Sequence, residues 1–367
     1  MLKNKYTQFV LISVSILLSV CISTIALILY AEKIPYFEKK LIKNVEKQLY
    51  TMHQTVIFDN FCGSYKKFIL ENDTHKLLKS LYKNLDEESI EKVNMNLNSI
   101  LHVPDSKYIQ YFYFRSSMFN QDFKLKLNTF KAQTDFLQEK PQMLRKYKLP
   151  KDATYIYGVF YDHHNLRFAP EKVKKYVQDK IFLDIGAYVG DSVLVLLEYN
   201  PSLIYSFEIA DGNIERYNQT MKMNNIPSNK YELVKLAIAE RKGKFKIAGE
   251  WEMEGIESVY PVEQGQTVYS TDVDSFMKEK GGKVGFIKAD VQGIMHKAIN
   301  GMKETIKRDR PVLLLDISDS PQDFFYTKPI LEDIVKDLNY TIKITTFNSG
   351  DCIIGTSLWA YPKELDN

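Results

Sequence analysis

The chain has 367 residues, 45% of them hydrophobic and 26% charged, an ordinary globular composition able to bury the core of one large or two medium domains. Its formal net charge is +3, and its lysines alternate with acids instead of forming a stripe, so no nucleic-acid partner is expected. Three cysteines, Cys21, Cys62 and Cys352, lack metal-ligand spacing and leave at most one pair outside the apolar N-terminus, which excludes a disulfide scaffold.

After a short tail, residues 1–8, the stretch from Phe9 to Tyr30 carries no charge. At about 1.5 Å per residue it is long enough to cross a hydrocarbon core of roughly 30 Å, so a transmembrane anchor is expected over 9–30. A cleaved signal peptide fits less well, because such apolar cores run to about 15 residues and Tyr30-Ala31-Glu32 lacks small residues at the cleavage position. Lys33, Lys39, Lys40 and Lys43 after the span outnumber Lys3 and Lys5 before it, which places the following domain on the cytoplasmic side.

Residues 31–150 are expected to be a helical juxtamembrane or accessory region. Leu41, Val45, Leu49, Met52 and Val56 recur at intervals of three or four, with lysines and acids between them. The aromatic-rich segment 108–130 is expected to pack as core. Two prolines among lysines at 140–152, Pro141 and Pro150, mark a candidate boundary.

From 151 to 367 strands and helices alternate. Near-continuous apolar runs at 181–185, 203–208, 231–238, 284–291 and 311–317 read as buried strands, with helices at 193–199, 213–224 and 295–308. This predicts an α/β domain with a mostly parallel sheet and helices on both faces. The tail, 341–347 and 353–362 joined by Asn348-Ser349-Gly350-Asp351, predicts a hairpin adding antiparallel strands at the sheet edge.

The first of these strands ends in Asp184, and Gly186 and Gly190 follow in the pattern D-x-G-x-x-x-G. Asp191-Ser192 then supply N-cap chemistry for a helix, a geometry that lets loop N–H groups approach a ligand. The middle glycine of a dinucleotide fingerprint is missing, which argues against a nicotinamide oxidoreductase. Glu208, ending the second strand, stands where a ribose diol is held. A nucleoside with a polar tail, S-adenosyl-L-methionine, satisfies these features: its ammonium near Asp184, its chain over Gly186, Ala187 and Gly190, its ribose on Glu208.

Five segments in order carry a family resemblance. They are DIGAYVGDS, IYSFEIADGNIERYNQTMKMN, LAIAE, TDVDSF and IKADVQGIMHKAINGM. From about residue 178 to 320 the chain resembles the FkbM family of S-adenosylmethionine-dependent methyltransferases. The resemblance implies a class I methyltransferase (Rossmann-like) fold and O-methylation of a small-molecule or glycan acceptor, often a sugar. It carries over Asp184, Gly186, Gly190, Asp191 and Glu208 as cofactor positions, and Lys288, Asp290 and Gly293 as motif positions near the active face. Gln292 and Met295 stand where the family has acids, which opens an alternative: a catalytically impaired binding module.

Asp290, at a strand's carboxyl end, is expected to act as base or to position the acceptor, with Asp316 and His296 as secondary candidates. Asp274 is expected to cap the helix SFMKEK, and Trp251 and Tyr260 to border the acceptor pocket. The sequence shows no metal constellation and nothing that fixes an oligomeric state.

Overall fold

The computed structural model describes residues 55–102, 135–136, 138–253, 256–261, 266–346 and 355–366. The expected membrane span at 9–30 and the aromatic segment 108–130 lie outside them, as does most of the amphipathic stretch 41–56. Among the described residues, no helix is long and apolar enough to cross a membrane. The chain divides into two units, residues 1–67 with 95–128 and residues 68–94 with 129–367. The described part of the first is helical. The second includes residues well upstream of the boundary expected at 140–152 and holds both sheets and the cavity described below.

Helices α1 (Thr55–Glu71), α2 (Thr74–Tyr82) and α3 (Glu87–His102) come first, then the short α4 (Tyr157–Phe160) and α5 (Glu171–Val177). The alternating part follows as β1 (Ile181–Ile185), α6 (Asp191–Leu196), β2 (Leu203–Phe207), α7 (Asp211–Met223) and β3 (Tyr231–Val234). Four further strands come next: β4 (Ala237–Ile238), β5 (Gly243–Met253), β6 (Ile256–Pro261) and β7 (Gln266–Thr271). Alternation resumes with α8 (Val273–Lys280), β8 (Val284–Ala289), α9 (Met295–Ala298), α10 (Lys303–Asp309) and β9 (Val312–Asp316). Helix α11 (Pro321–Val335) and strands β10 (Tyr340–Thr346) and β11 (Thr356–Pro362) complete it.

The main sheet has seven strands in the order β10-β11-β9-β8-β1-β2-β3. Strands β3, β2, β1, β8 and β9 pair in parallel. Because both faces are covered, β1 and β8 are buried at every residue, and the rings of Phe182 and Phe286 meet across them at 5.5 Å. The terminal hairpin forms at the sheet edge, as expected, with its second strand on the inside. Strand β11, buried throughout, inserts antiparallel between β9 and β10, and β10, buried only at Ile344, takes the edge. Burial decides the order: Leu358, Trp359, Ala360 and Tyr361 need an interior position. Ser89 at the start of α3 accepts from Ile344 N at 2.9 Å, which covers that edge and explains why residues 68–94 belong to this unit.

The strand expected over 231–238 is broken at Lys235-Leu236. Ala237–Ile238 leave the main sheet and pair with β7 in a second sheet, β4-β7-β5-β6, that the sequence did not announce. Trp251 and Tyr260 lie on β5 and β6, their side chains outside the described set. The helix caps are reassigned as well. Asp272, not Asp274, caps α8 by accepting from Ser275 N at 2.6 Å. Asp274 accepts from Glu304 N and Thr305 N at 2.9 and 2.7 Å, so it tethers the first turn of α10.

Candidate active site

Registers gather the site. Ile185 pairs with Phe207 on one side and Ala289 on the other, and Ala289 pairs with Leu315. The next residues along each strand, Gly186, Glu208, Asp290 and Asp316, therefore emerge together, where strand order reverses between β1 and β8. A cavity of about 430 Å³ opens there, the size of a small-ligand site.

The glycine loop turns its N–H groups inward. Gly186 N and Ala187 N donate to Phe207 O at 3.0 and 2.9 Å, Gly190 N to Ala187 O at 2.8 Å, and Tyr188 N to Glu208 Oε2 at 2.9 Å. The glycines answer to packing. At Gly186, φ is +77° and an added Cβ would lie 2.1 Å from the Asp290 carbonyl oxygen. At Gly190, φ is +78° and a Cβ would meet Met221 and Tyr217 of α7 at 2.8 Å. Gly186→Ala should destabilise by about 3 kcal/mol or more, because strained φ adds to a collision with backbone. Gly243→Ala, whose Cβ would only touch Ser270 Oγ at 3.8 Å, should change little. Urea midpoints check both, and equal effects would refute the packing account.

Gly190, in the left-handed region, forms the N-cap position of α6 without a side-chain bond, so the N-cap chemistry expected of Asp191-Ser192 is not used. Asp191 is the helix's first residue, 2% exposed and part of the cavity wall. Its Oδ1 accepts from Ser192 N at 2.9 Å, whereas Oδ2 is buried without a hydrogen-bond partner. Burial, opposed by Lys288 and reinforced by Asp184, pushes its pKa up to about 7.

Asp184 lies behind the wall. It is fully buried, does not line the cavity, and has the Lys288 ammonium 3.2 Å from its Oδ1. That contact is an ion pair outside hydrogen-bond geometry, because the ammonium donates to Gly186 O at 2.5 Å and Ile185 O at 3.3 Å. Burial works against the Lys288 charge, but Asp184, Asp290 and Asp191 outweigh it and raise its pKa. Burial also raises Asp184, with Lys288 pulling the other way.

Glu208 joins loop to sheet. Its Oε1 accepts from Ile209 N and Ala210 N at 2.7 and 2.9 Å, and its Oε2 from Tyr188 N. Burial raises its pKa against those three N–H groups. A carboxylate has about four acceptor positions, so one remains for a ligand hydroxyl.

At the other end of the cavity Asp290, Asp316 and Asp319 bring carboxylate oxygens within 4.8 Å of one another, a spacing able to hold a cation. Asp316 accepts from Ser318 N and Ser318 Oγ at 2.8 and 2.7 Å. Burial and the Asp290 charge push Asp316 up to about 7, and burial with both neighbouring aspartates raises Asp319 well above the carboxylate range. Gln292 also lines the cavity, donating to Asp290 Oδ1 at 3.3 Å, while Met295 is buried in the core. His296 does not line it: its Nδ1 lies 2.6 Å from Asp323 Oδ1, and its backbone N donates to the same oxygen at 2.8 Å.

The sequence reading passed over Asp319, Tyr188 and His164. His164 is buried, its Nε2 sits 2.9 Å from Ser192 Oγ, and burial drives its pKa well down, so the imidazole is neutral. His164, Tyr188 and Gln292 all line the cavity with positive φ at non-glycine residues, 54°, 48° and 51°. Backbone strain gathered at one cavity is a mark of a functional site. The signal for Asp319 was available in Asp316-Ile317-Ser318-Asp319, an acid-rich turn directly after a strand.

A mostly parallel, doubly wound sheet with one antiparallel strand inserted beside its edge, and a ligand-sized cavity at its switch point, define a class I methyltransferase-like α/β fold. Residues 184–342 match the family model described as Methyltransferase FkbM domain. This segment is an FkbM methyltransferase domain, of a family that uses S-adenosyl-L-methionine. Among solved structures, the methyltransferase FkbM of Methylobacillus flagellatus KT is similar at 15% identity with a TM-score of 0.43, covering 75% of this chain. This chain spans 60% of that protein's length. An O-methyltransferase from Bacillus cereus in complex with SAH is similar at 13% identity and a TM-score of 0.37, with 64% of this chain and 91% of that one covered. Aeropyrum pernix fibrillarin with natively bound S-adenosyl-L-methionine is similar at 12% identity and a TM-score of 0.31, with 51% and 68% covered. No curated protein matches the chain.

Proposed function

We propose that the protein is an S-adenosyl-L-methionine-dependent O-methyltransferase, held at a membrane by residues 9–30 and acting on a hydroxyl of a sugar or glycoconjugate. The observation that carries this reading is the charge of the cavity. Asp191, Glu208, Asp290, Asp316 and Asp319 line it, against Lys288 as the one Lys or Arg among its described residues. Such a wall offers a pyrophosphate one cation, already paired with Asp184, and four N–H groups of the glycine loop are already bonded within the protein, so a dinucleotide finds no cradle. A cationic, unphosphorylated nucleoside suits it.

The residues present fit that group. The remaining acceptor position of Glu208 suits a ribose hydroxyl, and Ile209, Leu236, Ile238 and Ile247 offer an apolar wall for the base. The donor, when bound, supplies a methyl group on a sulfonium. The chain's own task is then to orient the acceptor and take its proton, and the Asp290-Asp316-Asp319 cluster, with one pKa near neutrality, is suited to both. Gln292 supports the rival binding-module reading only in part, because it bonds Asp290 and leaves the three acids in place.

The full chain should leave the membrane fraction only with detergent. In detergent, S-adenosylmethionine and S-adenosylhomocysteine at 100 times Kd should stabilise it by about 2.7 kcal/mol, roughly 5–10 °C in Tm, and NAD should not. A shift with NAD alone sinks the reading. A shift with both nucleosides but no methyl transfer from labelled donor across a panel of glycans favours the binding module.

A further inference from the structure

Among the described residues lining the cavity, two side-chain polar atoms are buried without a hydrogen-bond partner: the Tyr188 hydroxyl and Asp191 Oδ2. The second is the more telling. A buried carboxylate oxygen without a donor is costly, and the Lys288 ammonium, though near enough to oppose the rise of the Asp191 pKa, pairs directly with Asp184 and donates to two carbonyls. Both oxygens of Asp184, at the start of the same loop, also lack a hydrogen-bond donor, but that carboxylate has the Lys288 ammonium at 3.2 Å and lies behind the wall instead of lining the cavity.

The Asp191 carboxylate is also aimed by a residue upstream of the family-matched segment. His164, neutral and buried, holds Ser192 Oγ at 2.9 Å, and Ser192 N holds Asp191 Oδ1 at 2.9 Å. An orphan acceptor needs an N–H or O–H. Of the methyl donor's two cationic groups the sulfonium has none to give, whereas the ammonium has three. Resting on the methyl-donor reading above, we infer that Asp191, and not Asp184, receives the ammonium of the donor's amino-acid arm, with His164 positioning it through Ser192.

The test is calorimetric binding to the detergent-solubilised full chain of two probes, S-adenosylhomocysteine and its desamino analogue, in which hydrogen replaces the amino group. The wild type should prefer the amino compound by about tenfold or more. Asp191→Asn, which keeps the acceptor for Ser192 N, should bring the two affinities within about twofold of each other. His164→Ala should narrow the gap as well, whereas a merely structural role would weaken both probes alike. A wild-type ratio near one overturns the inference, as does an unchanged ratio in Asp191→Asn or a ratio lost in Asp184→Asn instead. Should Asp191→Asn not fold, Asp191→Ser repeats the comparison. If the wild type binds neither probe, the methyl-donor reading itself falls, a result distinct from all of these.

Discussion

Lys288→Met is expected to destabilise the protein by about 3–5 kcal/mol, because it leaves a buried carboxylate without its counter-charge. Asp184 is fully buried and Lys288 is the cation beside it, while Asp191 and Asp290 add negative charge close by. Urea unfolding at pH 8 measures the loss. The double variant Asp184→Asn/Lys288→Met should recover more than half of it, since the pair then leaves together; strictly additive losses would refute the pairing. The pH dependence follows from the sign of the shift. Asp184 already has a folded-state pKa above its ordinary value, and removing Lys288 raises it further. A carboxyl of that kind contributes stability at low pH and loses it as pH rises through the folded pKa, so the variant's deficit should shrink between pH 8 and pH 5.

Much of this arrangement was legible in the residues. Apolar runs such as Ile181–Ile185 and Val312–Asp316 read as buried strands, and the acid that closes the second, Asp316, does line the ligand crevice, whereas Asp184 of the first lies behind its wall. Three things were not legible. A glycine states that no side chain fits and leaves open what fills the space; at Gly186 it is the Asp290 carbonyl oxygen, so the loop serves packing. An acid states a charge without its partner: Asp184 and Asp191 are seven residues apart and chemically alike, yet Lys288, about a hundred residues on, forms its ion pair with the first. The second sheet escaped because Lys244 and Lys246 are exposed on β5 beside the buried Ile247, and such a half-polar strand lacks the continuous apolar signal. His164 escaped for a similar reason, since only the fold brings residue 164 to residue 192.

Asp290→Asn is expected to lower the rate of methyl transfer by about 10²–10⁴-fold with donor affinity nearly unchanged, the loss typical of a group that handles the acceptor's proton. The pH profile separates this from a general disturbance. Asp316 is held at about 7 by burial and by the Asp290 charge, so wild-type turnover should rise with pH through about 7 as the acid cluster gives up its shared proton. Removing the Asp290 charge removes one of the two causes. The rising limb should then move to lower pH in Asp290→Asn, and disappear in Asp316→Asn, since Asp191, the other cavity acid raised to about 7, lies outside the cluster that takes the proton. A limb unmoved in both variants would show that the proton leaves elsewhere, and a rate within tenfold of wild type in Asp290→Asn would remove that residue from the chemistry. With the limb shifted and the rate lowered, the two aspartates act as one titrating unit, and the substitution of Gln292 for a family acid is explained: a third ionised neighbour within reach of Asp290 would push the shared proton's pKa higher still, whereas an amide donating at 3.3 Å holds Asp290 in place without adding charge.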